Sequence, residues 1–268
     1  MVGLTPERFG LSDFSESPVS ICGKAFLAHM SGALYWPSEN ALIVTDLHLE
    51  KGSAYAAKGQ ILPPYDTGAT LAKLADAIDT YNAATIIALG DSFHDSSAGE
   101  RIAPSDRETL RLLQEDREWI WITGNHDPEI ERALGGHAAP EISVEGIRLR
   151  HMPSPSAATH EIAGHLHPAA RVVMHGTAIR RPCFVGNGRR LVLPAFGAFT
   201  GGLNILDDAF QPIFGHDGMA VWMLGQEGLY PVATRLLRED RALQCVTRRN
   251  ANAAANPASA ASKTVASP

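Results

Sequence analysis

The sequence predicts an α/β fold in a single domain, and three observations support this prediction. The first half of the chain alternates short apolar runs with amphipathic segments, the pattern of strands joined by helices in a parallel sheet. The second half contains short stretches in which apolar and polar residues alternate, as expected for hairpin strands. The chain has 268 residues, of which 45% are hydrophobic, so it can bury a sizeable core.

Two helices are predicted between three buried strands in the first half. Asp66 is expected to cap the first helix, because apolar residues recur after it at helical spacing. The Ser-Asp-Arg-Glu sequence at 105–108 has the spacing of a capping box and is expected to open the second. This order of elements implies parallel strands. The predicted strands are residues 41–45, 85–89 and 119–123.

The second half is predicted to consist mainly of short strands. Alternation on either side of Glu145-Gly146 indicates a hairpin. The tail after Arg249 is low in complexity and lacks large apolar residues. We therefore expect one domain over residues 1–249 and a disordered tail over 250–268. Further strands are predicted at 161–163, 171–174, 183–185, 191–193, 220–224 and 229–232.

The composition excludes membrane-spanning and disulfide-stabilised proteins. The longest run without a charged residue, 191–206, has only 16 residues and contains a proline and three glycines, so it is not a membrane helix. No secretory signal is visible at the N-terminus. The cysteines, Cys22, Cys183 and Cys245, are odd in number and far apart. Free thiols in a reduced, cytoplasmic protein are therefore expected.

The formal net charge of −6 is distributed unevenly along the chain. Residues 1–147 contain 10 basic and 22 acidic side chains, whereas residues 148–190 contain seven arginines and one acid, Glu161. Arginines could line a path for a nucleic-acid backbone. The favoured interpretation for most of them is that they face solvent or pair with the acidic first half. The seven are Arg148, Arg150, Arg171, Arg180, Arg181, Arg189 and Arg190.

Four polar clusters follow predicted strands, and His151 ends another. The carboxyl ends of parallel strands meet at one edge of a sheet, so the first three clusters should converge. Carboxylate, imidazole and amide ligands without a thiolate suit two divalent ions such as Mn²⁺, Fe or Zn²⁺. Such a pair can activate water and clamp a phosphate. The clusters are Asp46-Leu47-His48, residues 90–95 (Gly-Asp-Ser-Phe-His-Asp), residues 124–127 (Gly-Asn-His-Asp) and residues 164–167 (Gly-His-Leu-His).

Together these clusters resemble the signature of the calcineurin-like metallophosphoesterases: D-x-H, G-D-x-x, G-N-H-[DE], H and G-H-x-H. The resemblance covers about residues 41–167. The cluster at 90–95 resembles the nuclease-type variant, which has His where the phosphatase branch has Asp. The stretch 193–204 is similar to that of the ligase-associated DNA damage response endonucleases (the PdeM group). The implied fold is a metallophosphoesterase-type four-layer α-β-β-α sandwich with two facing mixed sheets.

The resemblance also implies the ligands of two divalent metal ions. The expected metal is Mn²⁺, with Fe or Zn²⁺ as alternatives. His151 is a single-residue match, and His160 or His175 could take its place. Asp91 would bridge the two ions. The first ion would also be held by Asp46, His48 and His167, and the second by Asn125, His151 and His165.

Catalytic and substrate-binding roles are implied for three further residues. His126 would be the proton donor or charge stabiliser beside the scissile phosphate, and Asp127 would orient it. His94 would face the substrate. Asp127 has a second interpretation, because Asp followed by Pro128 is also typical of a helix N-cap.

The implied function is a metal-dependent phosphodiesterase. A hydroxide between the two ions would attack the phosphodiester in line, while His126 assists the leaving oxygen. Within the family, DNA is the implied substrate, for an endonuclease linked to DNA repair. A repair ligase, helicase or exonuclease would be its partner. Two other functions stay open: hydrolysis of a nucleotide or other small phosphodiester, and a non-catalytic scaffold stabilised by metal.

Overall fold

The structure, a computed structural model, describes residues 14–60, 65–155, 160–215 and 218–240. Two β-sheets pack face to face, and helical segments cover the outer face of each. The expected four-layer α-β-β-α sandwich with two mixed sheets is therefore confirmed. The expected tail at 250–268 lies outside the described residues.

The first sheet has seven strands in chain order among the described residues. The first four strands are joined antiparallel, and the last four run parallel to one another. The predicted parallel strands are confirmed as the fourth, fifth and sixth. The strands are β1 (Glu16–Ile21), β2 (Lys24–His29), β3 (Leu34–Trp36), β4 (Ala41–Val44), β5 (Thr85–Leu89), β6 (Glu118–Ile122) and β7 (His137–Ala139).

The second sheet contains nine of the described strands and is also mixed. The predicted hairpin is confirmed, with Glu145 and Gly146 both at positive φ in its turn, as a tight hairpin turn requires. The strands are β8 (Glu141–Val144), β9 (Ile147–Arg150), β10 (Glu161–Ala163), β11 (Pro168–Met174), β12 (Thr177–Gly186), β13 (Arg190–Val192), β14 (Leu203–Asn204), β15 (Ala220–Leu224) and β16 (Leu229–Val232).

Five α-helices occur in the described part of the chain. The two longest follow the predicted helical segments, and three short ones lie near loops. Their bounds are α1 (Lys51–Ala57), α2 (Asp66–Tyr81), α3 (Ala98–Arg101), α4 (Pro104–Gln114) and α5 (Gln211–Phe214), with 3₁₀ turns at Pro37–Glu39, Arg132–Leu134, Asp208–Phe210 and Thr234–Leu236.

The main core lies between the two sheets. Side chains of the first sheet such as Phe26 and Trp36, whose ring centroids are 4.7 Å apart, pack against Leu149 and Phe184 of the second. Each of these side chains is fully buried. Burial of such a residue contributes about 1.5–3 kcal/mol, so this contact fixes the spacing of the two sheets.

Two outer clusters complete the layers. On the first sheet, Leu71 and Leu74 of α2 pack with Trp119 and Trp121 of β6. On the second sheet, α5 and the preceding 3₁₀ turn bury Phe210 and neighbouring apolar residues against β12 and β15. The helical layer on the second sheet is therefore much thinner than that on the first.

Both predicted helix starts are wrong in detail. Asp66 is the first helical residue rather than a cap, and its carboxylate accepts a 2.9 Å hydrogen bond from the backbone N–H of Gly52 in α1. Helix α4 begins at Pro104, where the fixed φ of proline favours a first turn. Ser105 therefore lies inside the helix, and no side chain caps it.

Candidate metal centre

Loops that follow five strands converge at one end of the two sheets. Within the first sheet, the backbone N–H of His48 donates to the carbonyl oxygen of Asp91 over 2.9 Å. Across the two sheets, the backbone N–H of His165 donates to Oδ2 of Asp46 over 3.0 Å. The predicted convergence after β4, β5 and β6 is thus present, and the loops after β9 and β10 join it.

A first group of side chains could hold a metal ion: Asp46, His48 and His167, whose ligand atoms all lie within 4.8 Å of one another. The Nε2 atoms of the two histidines are 3.3 Å apart, and Nε2 of His167 is 3.1 Å from Oδ1 of Asp46. Nδ1 of His167 lies 3.2 Å from the carbonyl oxygen of Gly201. A carbonyl only accepts, so Nδ1 carries the proton and Nε2 presents a lone pair.

A second group is formed by Asp91, His151 and His165, again within 4.8 Å. Nε2 of His151 lies 3.3 Å from Oδ2 of Asp91, 3.2 Å from Nδ1 of His165 and 3.1 Å from Oδ1 of Asn125. The other ring nitrogen of His151 is 2.9 Å from the carbonyl oxygen of Leu89, which leaves Nε2 free to bind a cation.

The donor set fits cations better than it fits a network of hydrogen bonds. Within the described residues, the buried Oδ1 of Asp46 accepts no hydrogen bond, because Nε2 of His167, 3.1 Å away, presents a lone pair rather than a proton. A buried carboxylate oxygen without a partner is costly, and a bound cation would satisfy it. Each group combines one carboxylate with two imidazoles and contains no thiolate. The two groups therefore fit a dinuclear centre.

Five of the candidate ligands have a left-handed backbone conformation. Such a conformation costs of the order of 1–3 kcal/mol per non-glycine residue and persists where its surroundings enforce it. Here the loops turn each side chain back toward the common centre. The values of φ are 53° for Asp46, 45° for His48, 47° for Asp91, 68° for His165 and 45° for His167.

Glycines precede three of the ligands, for two different reasons. Gly90 has φ of 80°, so it provides a sharp turn before Asp91. Gly124 and Gly164 are needed for close approach instead. A Cβ at Gly164 would overlap Oγ1 of Thr45, and one at Gly124 would overlap Oδ1 of Asp91. The loops can therefore pack against each other only without these side chains.

His126 and His94 lie together at the mouth of the site. Nδ1 of His126 is 2.9 Å from the carbonyl oxygen of His94, and the two rings stack with centroids 5.4 Å apart. Nε2 of His126 points inward and lies 3.9 Å from Oδ2 of Asp91. The side chain of His126 is 42% exposed, so a substrate can reach it.

The expectation that Asp127 orients the ring of His126 is wrong, because the carbonyl of His94 holds that ring. The alternative that Asp127 caps a helix is also wrong, since residues 128–131 are not helical. Asp127 is buried and its carboxylate binds backbone N–H groups instead. Oδ2 accepts hydrogen bonds from Ser92 and Phe93 over 2.7 and 3.1 Å, and Oδ1 accepts from Asp91 and Gly124 over 3.0 and 2.9 Å.

Burial and neighbouring charges set the protonation of the site. Burial lowers the pKa of His48 to about 3, against the attraction of Asp46. Burial opposes the charge of Asp91, but the hydrogen bond and charge of His151 outweigh it and lower the pKa to about 2. Burial raises the pKa of Asp127 to about 6. A neutral imidazole and a charged carboxylate are the forms that bind metals.

A polar network behind His94 was missed at the level of sequence. Arg101 forms two hydrogen bonds with the carboxylate of Asp95, over 2.8 and 2.9 Å, and a third with Oγ of Ser53. Ser53 donates to Oε2 of the buried Glu50 over 2.6 Å. The network ties α1 and α3 to the loop that carries His94. Its only sequence signal is that Asp95 ends the cluster at residues 90–95 and Glu50 lies two residues after His48.

Four arginines of the basic segment pair with carboxylates. Arg190 is 1% exposed, with Nε 3.0 Å from Oε1 of Glu161 and Nη1 2.8 Å from the carbonyl oxygen of Ile213. The favoured interpretation, that these arginines face solvent or pair with the acidic first half, holds for Arg148 and Arg150 but not for the buried Arg190, whose partner lies in the basic segment itself. The other pairs are Arg148 and Arg150 with Glu141 and Arg180 with Asp240.

Comparison with known proteins identifies the family. The sequence model of the calcineurin-like phosphoesterases matches residues 40–217, which include every candidate ligand. The chain belongs to this family. As a calcineurin-like phosphoesterase with two groups of metal ligands, it is a metal-dependent hydrolase of phosphate esters. A search among curated proteins found no match.

Among solved structures, this calcineurin-like phosphoesterase is similar to the nuclease MPE of Pseudomonas putida. The two are 29% identical with a TM-score of 0.63, and the match covers 81% of this chain and 100% of the nuclease. Yfce, a phosphoesterase from E. coli, is 16% identical with a TM-score of 0.34, and the match covers 72% of this chain and 92% of Yfce. No conclusion rests on this weaker similarity.

The geometry brings the sequence-predicted site residues together. His151 lies in the second ligand group. The two alternatives do not: His160 is exposed before β10, and His175 is exposed in the turn between β11 and β12. In the described residues, no helix is long and apolar enough to cross a membrane.

Proposed function

We propose that this phosphoesterase cleaves phosphodiester bonds in DNA and acts as a repair endonuclease. The observation that carries the proposal is the ring of His94, stacked on His126 beside both ligand groups. In the signature that this sequence resembles, His at this position accompanies nuclease activity. The similarity to the nuclease MPE supports the same assignment.

The proposed ligands of the first ion are Asp46, His48 and His167, and those of the second are Asp91, Asn125, His151 and His165. Asp91 is the proposed bridge, as the resemblance to the family signature implies, and its Oδ2 lies 3.3 Å from Nε2 of His151. When bound, two divalent ions, Mn²⁺ in this proposal, would neutralise charge on the phosphate and activate water.

His126 is the proposed general acid. The carbonyl of His94 fixes Nδ1 as the protonated nitrogen, so Nε2 is the atom that faces the substrate. In the imidazolium form Nε2 carries a second proton, which can pass to the leaving oxygen as the ester bond breaks and leaves the neutral ring with its proton on Nδ1. The proposed role of Asp127 is to position: it holds the backbone of residues 91–93 and so sets where Asp91 and His94 lie.

The cellular setting is part of the proposal as well. Cys22 and Cys183 are free thiols, which supports a cytoplasmic location. Partnership with a repair ligase, helicase or exonuclease rests on the resemblance of residues 193–204 to the ligase-associated endonucleases.

The proposal can be tested with protein stripped by chelator and reloaded with Mn²⁺, Fe²⁺ or Zn²⁺, with metal content measured by inductively coupled plasma spectrometry. The substrates are circular single-stranded DNA, bis-p-nitrophenyl phosphate and p-nitrophenyl phosphate. We expect the circle to be opened, which requires endonuclease action, and the diester to be hydrolysed faster than the monoester.

Other outcomes of this panel distinguish the alternatives. Hydrolysis of the small diester with the DNA circle intact would favour a nucleotide or other small phosphodiester as substrate. Two bound ions with no hydrolysis of any ester would favour the metal-stabilised scaffold.

A further inference from the structure

The loop at residues 197–202, here called the rim loop, lies between β13 and β14 and is fixed against the loops that carry Asp46 and His167, two ligands of the first group. At its start, the backbone N–H of Gly197 donates to the carbonyl oxygen of Asp46 over 3.1 Å. A Cβ at Gly197 would overlap the carbonyl oxygen of Leu47. This end of the rim loop therefore packs directly against the backbone of the loop that carries Asp46 and His48.

The other end of the rim loop lies against His167. The carbonyl oxygen of Gly201 is 3.2 Å from Nδ1 of His167. A Cβ at Gly202 would come within 2.7 Å of the carbonyl oxygen of His167. Consecutive Cα atoms are at most about 3.8 Å apart, so the Cα atom of Phe199 lies within about 8 Å of that of Gly201.

Phe199 stands at the centre of this fixed loop. Its side chain is 52% exposed, and its φ is 56°. A bulky aromatic residue rarely adopts that conformation, which stores strain unless the surroundings enforce it. The enforcing contacts are the 3.0 Å hydrogen bond from Nζ of Lys51 to the carbonyl oxygen of Phe199, and one from Ala198 N–H to Oγ1 of Thr70.

The fold thus maintains an unfavourable backbone conformation in order to display an apolar ring to solvent. About half of Phe199 stays exposed, so packing of the ring accounts for only part of what the conformation costs. A planar ring on a rigid support beside a phosphate-cleaving centre can stack on a nucleobase, and such stacking tolerates any base. Lys51 on α1 holds the backbone that carries this ring.

We propose that Phe199 is a specificity-determining residue that stacks on an unpaired base next to the scissile phosphodiester. The inference rests on the proposed function and adds that the enzyme selects strands whose bases are free to stack. Base pairs in a duplex keep their bases stacked on one another, so single strands are the favoured class of substrate.

The test compares Phe199→Leu and Phe199→Trp with the wild-type enzyme loaded with Mn²⁺. Leucine keeps an apolar side chain at the same backbone conformation but has no aromatic face, whereas tryptophan keeps one. The substrates are a single-stranded oligonucleotide and an oligomer of equal length with abasic units. Quenching of 2-aminopurine next to the cleaved bond, measured before cleavage, reports stacking directly. Tyr230→Ala removes an exposed aromatic ring on β16 and is the matched control.

We expect a KM for the base-containing strand at least about tenfold lower than for the abasic one, equivalent to about 1.4 kcal/mol. Phe199→Leu should abolish this difference and the quenching, while Phe199→Trp and Tyr230→Ala retain both. Cleavage of the abasic strand should be equal in all variants, which shows that they fold. Equal KM values for the two strands in the wild type, or a preference retained by Phe199→Leu, would overturn the inference and leave the endonuclease intact. Failure of the wild type to cleave either strand would instead refute the proposed function, and the inference with it.

Discussion

The carbonyl oxygen of His94 lies 2.9 Å from Nδ1 of His126, so the backbone of one histidine fixes the tautomer of the other. The second nitrogen of His126 then faces Asp91 and the candidate metal ligands. A single residue, His94, therefore offers a ring at the mouth of the site and a carbonyl that orients the proposed acid.

The first prediction concerns the acid. His126→Ala is expected to lower kcat by about 10²- to 10⁴-fold, the usual contribution of a positioned acid, with metal content unchanged. The measurement is steady-state hydrolysis of a DNA strand together with metal analysis. Asp91→Asn is the contrasting variant, because losing the charge of a ligand should reduce metal content as well as activity. Full activity in His126→Ala would show that another group protonates the leaving oxygen.

A second prediction concerns the close packing of the ligand loops. Gly164→Ala would place Cβ on Oγ1 of Thr45 and 2.7 Å from Oδ2 of Asp46. We expect the free energy of unfolding to fall by about 1–3 kcal/mol, as in other overpacked sites, and metal affinity to fall with it. Urea unfolding measures the first effect. Gly201→Ala is the control, since its Cβ would meet nothing within 4 Å. Equal losses in the two variants would contradict the argument.

The third prediction is about the buried pair of Arg190 and Glu161, both 1% exposed. Arg190→Met leaves a buried carboxylate without its partner and should cost about 3–5 kcal/mol of stability. Adding Glu161→Leu should restore much of that loss, because both charges are then removed. The KM for DNA should not change in the folded double variant. A raised KM would mean that Arg190 serves the substrate after all.

Stability should also depend on pH through Lys73, whose Nζ donates to the carbonyl oxygen of Phe196 over 2.9 Å and lies 4.0 Å from the centre of its ring. Burial lowers the pKa of Lys73 from 10.5 to about 8. Between these values the unfolded chain binds more protons than the folded one, so the free energy of unfolding rises with pH. The cost of burying the charge is present below pH 8 and is lost by about pH 10.5.

Comparison with Lys73→Met isolates this effect. From pH 7 to 10.5 the wild type should gain up to about 3 kcal/mol relative to the variant, as measured by urea unfolding at each pH. Lys58→Met is the control, because it shows how loss of an exposed lysine changes the free energy of unfolding at each pH. Parallel curves for the wild type and Lys73→Met would mean that the carbonyl and the ring of Phe196 stabilise the ammonium enough to cancel the effect of burial.

Much of the fold could be predicted because buried parallel strands have continuous apolar sequences. Strand β4 is wholly buried, β5 is buried except at its first residue, and β6 is buried at three of its five residues. Strands β1 to β3 were missed. β1 alternates weakly and contains Pro18, which is tolerated there because β1 is an edge strand, and β3 has only three residues.

The candidate ligands could be predicted because each follows a strand and carries a side chain with metal-binding chemistry. The backbone groups that orient these ligands could not be predicted from the sequence. The carbonyl oxygens of Leu89, His94 and Gly201 hold three of the histidines, and every residue has a carbonyl, so no sequence pattern marks them. Asp127 was misread for the same reason, since its partners are backbone N–H groups.

The candidate ligands lie in a shorter stretch of the chain than the residues that form the core between the sheets. The family match begins at residue 40 and ends at 217, whereas Phe26 and Trp36 before it and Leu229 after it belong to the core between the sheets. A fragment trimmed to the matched residues would keep every candidate ligand and expose the inner faces of β4 and β12. The flanking strands thus complete the core that supports the site, although they contribute no ligand to it. A protein fragment for expression should therefore extend beyond the residues that the family model matches.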